Sequence, residues 1–84
     1  MKAIVLTNGK QALVDSEDFE RLSAMTWRAS RSGETFYAKN GNDDYMHRLV
    51  CPCPPGMVVD HINGDGLDNR RANLRAVSAI RQCA

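Results

Sequence analysis

Two short apolar runs on either side of a polar loop constrain the fold of this chain more than any other feature. The first run, at residues 57–59, leads directly into Asp60 and His61, and the second run occupies residues 74–77. The loop between them is dense in turn-forming residues, including an Asn-Gly dipeptide just after His61. This pattern predicts a strand that delivers a carboxylate and an imidazole to a loop, followed by a second strand and a short helix.

Turn signals also predict two hairpins in the first half of the chain. β-rich runs at residues 3–6 and 11–14 are joined through an Asn-Gly dipeptide, a strong hairpin signal because both residues tolerate positive φ angles. A second hairpin is expected for residues 27–38 around Gly33. The aromatic side chains of this second hairpin are expected in the core of so small a domain rather than as a stacking platform for bases. They are Trp27, Phe36 and Tyr37.

Two helices are predicted from capping and spacing. Asp15 is expected to cap a helix whose first turn is acidic, where the helix dipole favours negative charge. Phe19, Leu22 and Met25 follow at helical spacing and should face the core. A second, shorter helix is predicted near residues 47–51, and the prolines that follow it should end it before the next strand.

Charge is distributed unevenly along a chain whose net charge is only +1. Residues 25–84 carry eight bases against six acids, and seven of those eight bases are Arg. Arg is favoured where planar, forked contacts to phosphate are made. The charge distribution therefore fits a nucleic-acid partner, although it fits a solvated surface of mixed charge equally well.

The chain carries no apparent membrane span or signal peptide. No stretch approaches the ~20 apolar residues of a membrane span, and the N-terminal run is too short for a signal peptide. We therefore expect an intracellular protein.

Structural zinc at Cys51, Cys53 and Cys83 is disfavoured, because paired C-x-x-C motifs are missing and the fourth ligand would have to be His47. Free or buried thiols are the favoured interpretation.

Asp60 and His61 are the residues best suited to phosphodiester hydrolysis. A neutral imidazole is a suitable base near physiological pH, and a carboxylate is a suitable ligand for Mg²⁺. Neighbouring residues on a regular strand point to opposite faces, so both can reach one site only if the strand ends or twists there. The turn directly after His61 permits that. The alternative for His61 is a surface histidine with a structural hydrogen bond.

The motif resembles a known nuclease superfamily. The sequence Met-His-Arg-Leu-Val at residues 46–50, together with residues 54–61, is similar to HNH endonucleases, especially the free-standing and intron-encoded homing type of phages. The resemblance implies one α+β domain over residues 1–84. In it, N-terminal β-hairpins and a helix, within residues 1–45, precede a ββα-metal (HNH) unit at residues 46–84.

The resemblance also implies an activity and its setting. We expect a DNA endonuclease that cuts or nicks phosphodiester bonds with one divalent cation, Mg²⁺ or Mn²⁺, in the cytoplasm of a bacterial host. DNA is the expected partner and no membrane is expected. The sequence leaves a homodimer open, and it leaves open which DNA sequence is recognised.

Individual roles follow from the resemblance. His61 would deprotonate the attacking water, Asp60 would bind the metal, and Asn73 would orient the imidazole and pin the loop. The loop signature Asp68-Asn69-Arg70 would stabilise the loop rather than take part in catalysis.

The third family position departs from the expected pattern. It falls on Gln82, where relatives carry His or Asn as a metal ligand, and Gln is one methylene longer than Asn. The helix expected to carry Gln82, over residues 78–84, has room for barely two turns, and isolated helices of that length are marginal. Both features favour the alternative interpretation, an HNH-derived DNA-binding protein or regulator with weak or no catalytic activity.

Five arginines border the proposed site and are the expected phosphate contacts. Each of them could equally belong to a solvated surface, and Arg48 could also pack against the ββα unit. They are Arg48, Arg70, Arg71, Arg75 and Arg81.

Overall fold

Three two-stranded antiparallel sheets and two short helices make up residues 1–78, the part of the chain that this computed structural model describes. Predictions made for Arg81, Gln82 and Cys83 lie outside the described residues. In chain order the elements are β1 (Lys2–Val5), β2 (Gln11–Val14), α1 (Ser16–Ser23), β3 (Trp27–Ser32), β4 (Thr35–Asn40), α2 (Met46–Val50), β5 (Met57–His61), a 3₁₀ turn (Arg71–Asn73) and β6 (Leu74–Ser78).

Both predicted N-terminal hairpins are present. In the first, β1 pairs with β2 so that Ile4 lies opposite Ala12, and both side chains are buried. Gly9 has a φ of +89°, which is the left-handed conformation that the Asn-Gly signal predicted. In the second, β3 pairs with β4 around Gly33, which has a φ of +63°.

The hydrophobic core contains side chains from both predicted parts of the chain, residues 1–45 and the residues that follow. Trp27 is buried, as expected, and its indole N–H donates a hydrogen bond to the carbonyl of Leu22 at 2.8 Å. Met46 and Val50 from α2 and Leu74 from β6 are buried in the same cluster. Burial of apolar surface therefore holds the first hairpins against the strands that carry the proposed site.

Helix α1 braces the 3₁₀ turn. Asp15 was predicted to cap α1, but its side chain forms no capping hydrogen bond there. Its Oδ2 instead accepts the backbone N–H of Arg71 at 2.9 Å, a donor 56 residues away in the sequence. The buried carboxylate of Asp18 accepts Nε and Nη2 of the same Arg71 at 2.9 and 2.8 Å. These hydrogen bonds lower the pKa of Asp18.

Strands β5 and β6 pair in the region where the two strands of a ββα unit were predicted. Their antiparallel register places Asp60 opposite Arg75 and His61 opposite Leu74. The helix of that unit was predicted over residues 78–84. Ser78 is instead the last residue of β6, and the rest of that range lies outside the described residues.

The connecting loop, residues 62–70, is tied to the N-terminal hairpins by backbone groups. The N–H of Leu13 donates to the carbonyl of Leu67 at 2.8 Å, and the N–H of Asn69 donates to the carbonyl of Leu13 at 2.7 Å. Gly66 donates its N–H to Thr35 Oγ1 at 3.0 Å and packs so closely that a Cβ there would overlap the carbonyl oxygen of Phe36. The loop is therefore placed by contacts with strands distant in the sequence.

Candidate active site

Asp60 and His61 are neighbours at the end of β5 but have different surroundings. The side chain of Asp60 is 41% exposed, whereas His61 is only 7% exposed. Asp60 bonds to Arg75 across the β5–β6 pair, and His61 bonds to Asn69 in the connecting loop. This difference follows from strand alternation, because pairing remains regular through His61. Within residues 1–78 the two side chains share no hydrogen-bonding partner.

The imidazole of His61 is held by Asn69. Its Nε2 lies 2.9 Å from Asn69 Oδ1, and Asn69 is fully buried. An amide oxygen only accepts hydrogen bonds, so this contact requires the imidazole proton on Nε2 and leaves the lone pair on Nδ1. That nitrogen has no hydrogen-bonding partner in residues 1–78, and it is not one of the buried unpaired atoms.

Within residues 1–78 the imidazole's hydrogen-bonding partner is therefore Asn69, and Asn73, which was predicted to orient the ring, forms no hydrogen bond with it. Asn73 closes the connecting loop instead. Its Nδ2 donates to Asn63 Oδ1 at 3.0 Å and to the carbonyl of Asp68 at 2.9 Å, and its Oδ1 accepts the Asn63 N–H at 3.1 Å. The motif Asp68-Asn69-Arg70 did mark Asn69 in the sequence, but only as a loop residue.

Four aromatic rings contact one another at the end of β5. We refer to these residues, Tyr37, Tyr45, His47 and His61, as the ring cluster. The His47 and His61 centroids lie 5.0 Å apart with the rings nearly perpendicular, and Tyr37 lies 5.5 Å from His61. His47 also stacks on Tyr45 at 5.1 Å. Burial lowers the pKa of His47 to about 4, with the nearby His61 and Arg48 acting in the same direction. Sequence reasoning did not anticipate this cluster.

The carboxylate of Asp60 already accepts a cationic partner. Nε and Nη2 of Arg75 lie 2.9 and 2.8 Å from the same oxygen, Oδ2. Both side chains are about half exposed, and such pairs typically contribute less than about 1 kcal/mol. Within the described part of the chain, no group of three or more His, Cys, Asp or Glu side chains could hold a metal ion.

Comparison with known protein families identifies the segment that carries Asp60 and His61. Residues 44–82 match a family profile described as HNH endonuclease. This segment belongs to the HNH endonuclease family. No curated protein and no solved structure matches the chain. The family indicates a nuclease-type function with DNA as substrate, and its nucleases generally use a divalent metal.

Three of the arginines predicted to contact DNA from this HNH segment pair with carboxylates. Arg70 bonds to Asp68 with two contacts of 2.7 Å, and these lower the pKa of Asp68. Arg71 and Arg75 bond to Asp18 and Asp60, respectively. Each would have to share or break its pair to bind a phosphate.

Arg48 differs from these three. It lies 5.9 Å from the ring centre of Tyr45 and has no carboxylate within 4 Å among residues 1–78. Among the predicted contacts that the structure describes, its guanidinium is the one free to meet a phosphate directly.

Two cysteines of the HNH segment lie within the described residues. Cys51 and Cys53 are free thiols, and Cys53 Sγ lies 3.4 Å from the carbonyl of Met57. Among residues 1–78, no helix is long and apolar enough to cross a membrane.

Proposed function

We propose that this protein is a DNA endonuclease that hydrolyses phosphodiester bonds with His61 as the general base. One observation carries the proposal: within the HNH segment, His61 Nε2 lies 2.9 Å from Oδ1 of buried Asn69, a contact in which a neutral imidazole donates from Nε2 and keeps its lone pair on Nδ1. A fixed tautomer and an accessible nitrogen are the two requirements for such a base.

In the proposed reaction a water molecule attacks the phosphorus while His61 Nδ1 takes one of its protons. The bond between phosphorus and the 3′ oxygen breaks on the opposite side, and that oxygen gains a proton from solvent. The products are a 5′ phosphate and a 3′ hydroxyl. A positioned base of this kind typically contributes about 10²–10⁴-fold in rate.

Asp60 is the proposed protein ligand for one divalent cation, Mg²⁺ or Mn²⁺. Its carboxylate fits this role because it is 41% exposed and its second oxygen, Oδ1, has no hydrogen-bonding partner within residues 1–78. Mg²⁺ sites commonly combine one or two carboxylates with substrate phosphates and water, so a single carboxylate is compatible with such a site. Bound there, the cation would stabilise negative charge on the phosphate. Gln82 remains the predicted second ligand.

Arg48 is the residue most favoured to contact DNA. Four further arginines are proposed as DNA contacts with lower preference: Arg70, Arg71, Arg75 and Arg81. The free guanidinium of Arg48 supports this order, because the three described arginines among the others are already paired.

The alternative is an HNH-derived DNA-binding protein with weak or no activity. Two observations favour it: Arg75 occupies one oxygen of Asp60, and the described residues contain no group of three or more His, Cys, Asp or Glu side chains that could hold an ion. The two functions differ in cleavage and agree in DNA binding.

Incubation with supercoiled plasmid in Mg²⁺, Mn²⁺ or EDTA tests the proposal. We expect nicked or linear DNA with either ion and none with EDTA. Asp60→Asn should abolish cleavage, whereas Asp44→Asn, which neutralises an exposed acid outside the site, should not. If the wild-type protein binds the plasmid but never cuts it, the alternative is correct.

A further inference from the structure

His47 lies in the site without a role in the proposed hydrolysis. It is the second residue of α2, between Met46, which is fully buried, and Arg48, which is exposed. Only 8% of His47 is exposed, and its ring meets that of His61 edge to face at 5.0 Å. Because Met46 and Val50 anchor α2 in the core, the ring is held at a fixed place beside the base.

The two nitrogens of His47 are in different environments. Nδ1 is buried without a hydrogen-bonding partner, and apart from Asn69 Nδ2 it is the only such side-chain atom in residues 1–78. Nε2 also forms no hydrogen bond there, but it is not one of these buried atoms.

The position of the ring proton decides what His47 can offer. With a pKa of about 4, His47 is neutral at pH 7 and carries one proton. Nδ1 lacks a partner in either neutral tautomer, and an unpaired buried donor or acceptor typically costs about 1–3 kcal/mol. With the proton on Nε2, His47 would present a neutral hydrogen-bond donor beside the ring of His61.

We propose that His47 is a second catalytic residue, whose Nε2–H donates a hydrogen bond to a non-bridging oxygen of the scissile phosphate beside His61. The proposal rests on the nuclease function proposed above. Negative charge on that oxygen grows as water attacks, so a donor fixed in advance stabilises the transition state more than the bound substrate. As a neutral imidazole that titrates only in acid, His47 does not compete with His61 for the proton of water.

Two variants of His47 test its hydrogen-bond donor and its aromatic ring separately. His47→Phe keeps an aromatic ring against His61 but removes the N–H, and His47→Gln restores an N–H donor at a similar distance from the backbone. Removing one donor of this kind typically lowers kcat by about 10²–10³-fold. On a duplex that contains a mapped cleavage position, we expect His47→Phe to lower kcat about 10²-fold with KM little changed, and His47→Gln to recover most of it. Equal rates for wild type and His47→Phe would overturn the proposal, and so would equal losses in both variants.

A phosphorothioate at the cleaved phosphate adds a readout that a structural role would not change. Sulfur accepts hydrogen bonds weakly, so one of the two diastereomers should slow the wild type more than it slows His47→Phe. An identical sulfur effect in both proteins would contradict the contact.

A measurement without cleavage distinguishes this proposal from the nuclease proposal. Imidazole ¹⁵N spectra of the wild-type protein at pH 7 should show the Nε2–H tautomer for His47. Addition of duplex DNA without divalent metal should shift the Nε2–H resonance. A Nδ1–H tautomer, or no shift on DNA binding, would overturn the role of His47 whether or not the protein cuts DNA. Absence of cleavage with a shifted resonance would overturn the nuclease function, and with it the catalytic role of His47, but would leave the contact between His47 and DNA in place.

Discussion

Replacement of Asn73 by Ala should open the connecting loop and destabilise the whole domain. Asn73 is buried and makes three hydrogen bonds, two from Nδ2 and one to Oδ1, all within the loop. Each contributes about 1 kcal/mol net, so Asn73→Ala should cost about 3 kcal/mol. For a domain of this size, that corresponds to a fall in melting temperature of roughly 12–24 °C.

Thermal unfolding followed by circular dichroism measures this change. The control is Asn42→Ala, which shortens an exposed asparagine whose side chain makes no hydrogen bond within residues 1–78 and should cost less than about 0.5 kcal/mol. Wild-type melting of Asn73→Ala together with loss of DNA cleavage would refute the loop role. Asn73 would then act in the chemistry itself.

Three further predictions concern charge, pH and packing. Arg48→Ala should reduce the slope of log affinity for DNA against log salt by about one. Arg71→Ala should reduce the slope less, because the guanidinium of Arg71 is already held by a buried carboxylate, and should also lower the melting temperature. Because the pKa of folded His47 lies near 4, below its ordinary value, its contribution to stability is present above about pH 6.5 and is lost as pH falls towards 4. Urea unfolding should therefore show a loss of about 2 kcal/mol between pH 7 and 5 that His47→Phe removes, and an equal loss in His47→Phe would contradict this assignment. Gly66→Ala should push the connecting loop away from β4, seen as faster amide exchange at Asn69, and unchanged exchange would show that the contact yields easily.

The hairpins and helices were predictable because their signals are local. The Asn-Gly dipeptide before β2 and the glycine between β3 and β4 fix backbone conformations within a few residues. The apolar run before Asp60 likewise predicted β5 with nearly its observed bounds.

The partners of the site residues were not predictable, because they depend on contacts between distant segments. Arg71 bonds to Asp18 across 53 residues of sequence, so its pairing could not be read from its own neighbourhood. Asn69 was expected only to stabilise the loop. Its backbone N–H bonds to the carbonyl of Leu13 on a strand distant in the sequence, and its side chain bonds to His61.

His47 illustrates the same difficulty. In the sequence it is a histidine before an arginine, considered there as a fourth zinc ligand. Its neighbours Tyr37 and His61 lie on β4 and β5, and only the packing of α2 against them produces the ring cluster.

The most direct test of the account is the single-turnover cleavage rate of His61→Ala, measured with and without added imidazole. We predict a rate about 10²–10⁴-fold below that of the wild type at unchanged DNA affinity, with part of the loss restored by imidazole in solution. Cleavage by His61→Ala at the wild-type rate would contradict the assignment of His61 as the base.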